Sequence, residues 1–198
     1  MEVVKLSPKH TELLEKFNTE CAGAGFTNNA SMAALKLVEG HDLPSDPQYW
    51  ALLVDDGIAS ISGCHSYDGD HRILRCLFRS ATLPQYQGLI PGISKTHMNS
   101  VPFSLLLPQQ IGWGLHRGYQ EFYITTSHGD HDASGHMSRT HRALELLARQ
   151  GIVDFVRQEE YYWTPQTLWR INISRYYEAV EAFKRTNEQI YSQIKYTN

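Results

Sequence analysis

LRCLFRSATLPQYQGLIPG, residues 74–92, is the stretch whose reading decides the fold. It opens as an apolar run suited to a buried strand, breaks at Pro84, and enters a short loop holding Gly88 and Gly92. A strand that ends in a glycine-bearing loop and feeds a helix gathers backbone N–H groups with no partner of their own. A phosphate can satisfy them. The same residues also suit a strand followed by an ordinary proline–glycine turn, so the neighbouring segments must decide.

Upstream, Tyr49 to Val54, an Asp-Gly turn at Asp56-Gly57 and Ile58 to Tyr67 read as a hairpin. A second Asp-Gly turn at Asp68-Gly69 leads into a strand from Arg72 to Leu83. The deciding stretch is therefore the third strand of an antiparallel meander. A nucleotide loop in a doubly wound sheet follows a parallel strand, which argues against that architecture. Before the meander come a strand at Val3–Leu6, a Ser7-Pro8 helix start and a helix with Leu13, Leu14, Phe17 and Cys21 on its apolar face. A second short helix is expected from Asn29 to Gly40.

Downstream, a helix is expected from Pro102 to Arg117, capped by Asn99 or Ser100, with Leu107, Ile111 and Leu115 on one face and a kink at Pro108. Glu121 to Thr126 reads as a strand, Ser138 to Gln150 as a helix closed by Gly151. Ile152–Trp163 and Thr167–Ile173 read as strands separated by Thr164-Pro165, and Ser174 as the cap of a long final helix. No repeat, linker or low-complexity tract interrupts the 198 residues, so one domain spanning 1–198 is expected.

The composition, 41% hydrophobic and 20% charged, is that of a soluble globular chain. A net charge of −3 argues against a general nucleic-acid binder. No apolar run is long enough to span a bilayer, and MEVVKLSPKH lacks the apolar core of a signal peptide. Cys21, Cys64 and Cys76 are scattered and form no C-x-x-C, which suits reduced thiols in a cytoplasm.

The order Thr82-Leu83-Pro84-Gln85-Tyr86-Gln87-Gly88 resembles the hydrophobic-x-Pro-x-Tyr-Arg/Gln-Gly run of the GNAT acyltransferases. A second segment, THRALELLARQGI at residues 140–152, is similar to the family's Asn-x-x-Ala-x-x-Leu-Tyr-Glu-Lys-x-Gly-Phe, with Ala143, Leu146 and Gly151 in place and Arg149 as the basic residue. The two lie in the family's order with a strand between them, and their joint agreement carries the assignment. The resemblance implies an α+β fold, with a mixed and mostly antiparallel central sheet flanked by helices. The final helix is extra.

It implies acetyl transfer from acetyl-CoA to a primary amine, on a small molecule or a peptide, by direct attack in a ternary complex. Thr82 and Leu83 would offer backbone hydrogen bonds to the pantetheine arm. Gln87, Gly88, Leu89, Ile90 and Gly92 would hold the diphosphate, and Thr140 would stand where an asparagine often touches the arm. Three departures accompany the match: Pro91 has no N–H to give, Leu147 replaces a tyrosine that protonates the departing thiolate, and Ile93–Val101 reads as an insertion.

A base is wanted, since an alkylamine is mostly protonated at neutral pH. His128 and His136, on the loop after the Glu121–Thr126 strand, are the candidates, although loop histidines of this kind are more often simply solvated. Tyr161, Tyr162, Trp163 and Trp169 read either as acceptor-pocket walls or as core. His128, His131, His136 and His141 beside Asp130 and Asp132 have the chemistry of a zinc or iron site but no i, i+4 pair, and no metal is assigned. A module that binds CoA without transferring anything is the other reading. The apolar stripe of the final helix suits packing on its own domain, with a second copy of the chain as the alternative.

Overall fold

The structure, a computed structural model, describes residues 1–24, 34, 36, 46–67, 70–90, 97–127, 139–161 and 164–197. In chain order the elements are β1 (Glu2–Lys5), α1 (Thr11–Gly23), β2 (Gln48–Val54), β3 (Gly57–Tyr67), β4 (Asp70–Thr82), α2 (Leu107–His116) and β5 (Glu121–Ser127). Then follow α3 (Arg139–Arg149), β6 (Val153–Tyr161), β7 (Thr164–Ile171), α4 (Ile173–Thr186), α5 (Glu188–Tyr191) and β8 (Lys195–Thr197). The strands form one eight-stranded sheet in the order β6-β7-β5-β4-β3-β2-β1-β8. Among the described residues only β4–β5 and β1–β8 are parallel pairs. This is the α+β arrangement expected from the sequence, with helices flanking a mostly antiparallel sheet.

The sheet separates the two larger cores, and a smaller cluster of Tyr67, Tyr123 and Leu168 lies apart from them. On one face Leu74, Cys76, Phe122, Ile124 and Trp169 pack with Leu105–Leu107 and Ile111 of the α2 region, Leu144 and Leu147 of α3, and Tyr176 and Val180 of α4. The final helix thus packs on its own sheet, and the Tyr176 hydroxyl donates to the Phe103 carbonyl. On the opposite face α1 lays Leu14, Phe17 and Cys21 against Tyr49, Ile61 and Leu83. Gly114 shows how closely α2 approaches the sheet: a Cβ there would lie 2.7 Å from both Leu74 Cδ2 and Phe122 Cε1.

Several boundaries differ from the sequence expectation for local physical reasons. In the first hairpin Val54 pairs with Gly57, so Asp55-Asp56 make the turn; Asp55 takes φ +52°, a conformation its short polar side chain tolerates. Leu115 is 49% exposed, because eight residues carry it about 80° round the helix from Leu107. Pro108 falls in the first turn of α2, where its missing N–H is harmless, and a π-helical turn at Pro102–Leu106 precedes it.

Pro165 lies inside β7, opposite Glu160 and beyond the last β5–β7 pair at Ser127–Gln166. The cap of α4 is Asn172, whose Oδ1 accepts from the Arg175 amide at 3.2 Å, and Ser174 is already helical. The final helix ends at Thr186, and the chain returns through α5 to lay β8 beside β1. The expected helix at Asn29–Gly40 and the Asp68-Gly69 turn lie outside the described residues, apart from helical Ala34 and Lys36.

Candidate active site where two strands part

β4 and β5 are paired over three rows only: Ile73–Glu121, Leu74–Phe122 and Arg75–Tyr123. Beyond Arg75 they part. β4 runs on to Thr82 beside β3, and β5 runs on to Ser127 beside β7. The stretch of β4 from Cys76 to Thr82 therefore has one edge unpaired by β5, and an unpaired edge is a row of backbone donors and acceptors. Leu83 N donates to Ala59 O at 3.0 Å, so the alternation of an antiparallel ladder turns the Thr82 backbone groups toward the open edge. Thr82 is the donor that faces the cleft. The Leu83 amide is committed to β3.

A double kink shapes this edge. Leu77 and Arg79 both have positive φ, +53° and +47°, and the β3–β4 register slips on either side of Gly63–Phe78. A polar network holds the kink. Gln110 of α2, fully buried, accepts from Leu77 N at 2.9 Å and donates to Ser62 Oγ at 2.9 Å. Ser62 and Ser80 hydroxyls are 2.7 Å apart, and Ser80 Oγ returns a 3.0 Å bond to the Leu77 carbonyl. Each member is satisfied, which is the condition for a buried polar network to rigidify rather than weaken. The sequence signal for it was a glutamine on the buried face of α2, beside Leu107 and Ile111.

The loop after Thr82 makes a turn at Pro84–Tyr86 and is then tied down by Asn99. Leu89 N donates to the Asn99 carbonyl at 2.7 Å and Ile90 N to Asn99 Oδ1 at 2.8 Å, while Asn99 Nδ2 donates back to Ile90 O at 3.2 Å. Asn99 is 1% exposed. Two amides expected at a diphosphate therefore have internal partners. A Cβ on Gly88 would stand 2.7 Å from Asn99 Nδ2, so this glycine makes room for Asn99. Gln87 N reaches Pro84 O at 3.4 Å. Gly92, His128 and His136 lie outside the described residues, as do His131, Asp130 and Asp132.

On the β5 side the Thr126 hydroxyl accepts from Trp169 Nε1 at 3.0 Å and lies 3.0 Å from His141 Nδ1. His141 Nε2 is 3.8 Å from Glu145, one turn along α3. Thr140 is exposed at the start of that helix, and Leu147 is fully buried in the core, so its position presents nothing to the cleft. Burial pushes the Cys64 and Cys76 thiols far up, which leaves them protonated and unreactive. Trp169 belongs to the core, where its ring meets His141 and Phe155. Tyr162 and Trp163 lie outside the described residues.

The face of the sheet toward α1 carries a second set of polar atoms. His65, 2% exposed, donates from Nδ1 to the Ser66 carbonyl at 2.7 Å, and its Nε2 is buried without a hydrogen-bond partner among the described residues. Its ring meets Phe78 edge-on at 4.4 Å. Burial, and then Arg75, lower its pKa to about 4, so the imidazole is neutral. The Tyr49 hydroxyl is also buried without a partner among the described residues, and burial raises its pKa.

No protein-family model matches the chain, and no curated protein matches it in sequence. Solved structures do. The acetyltransferase of GNAT family from Streptococcus pneumoniae is 14% identical, with a TM-score of 0.52 over 86% of this chain and 98% of that one. A spermidine N-acetyltransferase chimera from Vibrio cholerae and hSSAT is 10% identical, with a TM-score of 0.54 over 90% and 99%. Aminoglycoside 6'-acetyltransferase type Ii is 11% identical, with a TM-score of 0.54 over 86% and 96%. On this likeness, which spans more than four fifths of the sequence, the chain has the fold of the GNAT acetyltransferases.

Proposed function

We propose that this protein transfers an acetyl group from acetyl-CoA to an amine by direct attack in a ternary complex. The observation that carries the reading is the parting of β4 from β5 after Arg75–Tyr123, which leaves the edge of β4 open as far as Thr82. The amide-bearing pantetheine arm can add to such an edge as a further strand, with main-chain hydrogen bonds setting its position. Similar folds named for spermidine, an aminoglycoside and ribosomal-protein alanine support acetyl transfer as the class of reaction.

In this reading the protein's work is placement. The open edge of β4 holds the donor, and the kink fixed by Gln110 sets where the thioester carbonyl falls. The amine nitrogen bonds to the carbonyl carbon, the C–S bond breaks, and the thiolate leaves with a proton lost by the amine. A thiolate departs without obligatory acid help, so the buried Leu147 does not forbid the reaction.

A second reading, binding of CoA without transfer, is favoured by Asn99, which occupies the Leu89 and Ile90 amides. Calorimetry with CoA and acetyl-CoA, followed by thiol release with a panel of amines, separates the two. Heat with thiol release supports the transferase. Heat without release from any amine supports the binding module, and no heat with either ligand removes both.

A further inference from the structure

If the acyl donor lies along the open edge of β4, as just proposed, the sheet itself dictates where the acceptor stands. A nucleophile approaches a carbonyl carbon perpendicular to the carbonyl plane. A donor paired with β4 has its amide and thioester planes near the plane of the sheet, so attack must come from one face or the other. The face toward α2, α3 and α4 is filled: Leu74, Cys76, Phe122 and Ile124 are 2% exposed or less and belong to one continuous core. On the α1 side, beside a core of its own, Arg75 and Phe78 are only half-buried and Arg79 is exposed, so this is the side with room for the amine.

At the parting point that side carries an unusual row. His65 pairs with Arg75 and Arg75 with Tyr123, so the three residues form the last cross-sheet row in which β4 and β5 are joined. Paired residues share a face, and His65 and Arg75 both meet the ring of Phe78. Tyr49, pinned across Gly63 at what would be 2.6 Å from a Cβ, lies 6.3 Å from the same ring. Around Phe78 there are thus two buried polar atoms without a hydrogen-bond partner among the described residues, His65 Nε2 and Tyr49 Oη. Buried polar atoms in native proteins are nearly always satisfied, and two orphans beside one ring need an explanation.

The charge of this face limits the ligand. The guanidinium carbons of Arg75 and Arg79 stand 5.2 and 5.1 Å from the Phe78 ring centre. Both cations act on His65 and on Tyr49. Phe78 and Arg75 are half-buried, Arg79 is exposed, and the Arg75 guanidinium also donates to Gln166 Oε1 at 3.2 Å.

We propose that this face is the acceptor site, where His65 Nε2 accepts a hydrogen bond from the attacking amine, the Tyr49 hydroxyl donates to the acceptor, and Arg75 and Arg79 select an amine that carries a carboxylate. A neutral imidazole suits the role, because only the unprotonated amine has a lone pair to attack with, and a neutral acceptor orients its N–H without repelling it. Polyamines are disfavoured, since every further ammonium would meet the two guanidinium groups.

The test uses the full chain labelled with 15N-histidine. Titration with glycine, glutamate and spermidine should move the His65 Nε2 resonance with the amino acids and leave it in place with spermidine. In steady-state assays Tyr49→Phe and His65→Gln, both checked for folding by circular dichroism, should raise the acceptor KM about tenfold, the weight of one buried hydrogen bond. Their CoA affinity should stay within about twofold of wild type on the same scale. Resonances indifferent to all three amines, or variants that change CoA affinity and leave the acceptor KM alone, overturn the site. Should CoA give no heat while the amino acids still move His65, the transferase reading falls and the amine site stands.

Discussion

The Gln110 carboxamide and the Leu77 amide, 33 residues apart in sequence, meet in a 2.9 Å hydrogen bond at the point where β4 bends. A helix on one face of the sheet thereby holds a strand in a left-handed conformation that a leucine avoids by itself. The open edge of β4 begins beside this bond, so the geometry of the cleft depends on a residue that does not face it.

Gln110→Leu keeps the volume of the side chain and removes its polar atoms. It strands the Leu77 N–H in the core, and a stability loss of about 1–3 kcal/mol is expected from urea unfolding. If CoA binds along β4 as proposed, the relaxed kink should lower its affinity about tenfold by calorimetry. An unchanged affinity in the folded variant would separate the network from the cleft.

Gly88 and Asn99 form a testable pair. Gly88→Ala drives a methyl group toward Asn99 Nδ2, 2.7 Å away, and should destabilise by about 1–3 kcal/mol. Asn99→Ala removes the bonds to Ile90 N and O at a similar loss. In the double variant the clash is absent, so the two effects should add to less than their sum by about 1 kcal/mol. Strict additivity in thermal or urea melts would contradict the contact.

Gly114→Ala tests the approach of α2 to the sheet. The new methyl group meets Leu74 and Phe122 on the filled face, where neither can leave, and a loss of about 1–3 kcal/mol is expected. A stabilised variant, the ordinary result of replacing an exposed helical glycine by alanine, would show the packing to be looser.

Stability should depend on pH through His65. Its native pKa is depressed to about 4, and an unfolded histidine titrates near 6.5. Between these values the unfolded chain binds the extra proton, so the His65 contribution is whole above about pH 6.5 and is lost as pH falls toward 4. The full swing is about 3 kcal/mol. His10, whose pKa is also lowered by burial, acts in the same direction. Urea unfolding from about pH 7 down to about pH 5 should show a shallower slope for His65→Gln than for wild type. Equal slopes would mean that the imidazole is not held neutral.

Period-two runs, Asp-rich turns and glycine positions were enough to order the strands and helices, because each is set by a few neighbouring residues. Leu14, Phe17 and Cys21 declared the buried face of α1, and Gly118 and Gly151, both at positive φ, ended the helices they follow. Where local signals competed, boundaries moved: Asn172 displaced Ser174 as a cap, and β8 was too short and exposed to carry a pattern.

The candidate site was legible only in part. The run from Thr82 to Gly88 announced the end of a central strand, and that much is local chemistry. Which amides remain open to a ligand was settled by Asn99, and the bend of β4 by Gln110, through contacts between segments far apart in the chain. His65 carries no motif at all; its place opposite Arg75, and the lack of a partner for its Nε2 among the described residues, arise from strand register and burial. By itself the sequence determined the succession of elements, because propensity and periodicity are short-range. Only the tertiary structure decided where β4 leaves β5 and which polar atoms there lack a partner among the described residues, because those follow from packing across the sheet.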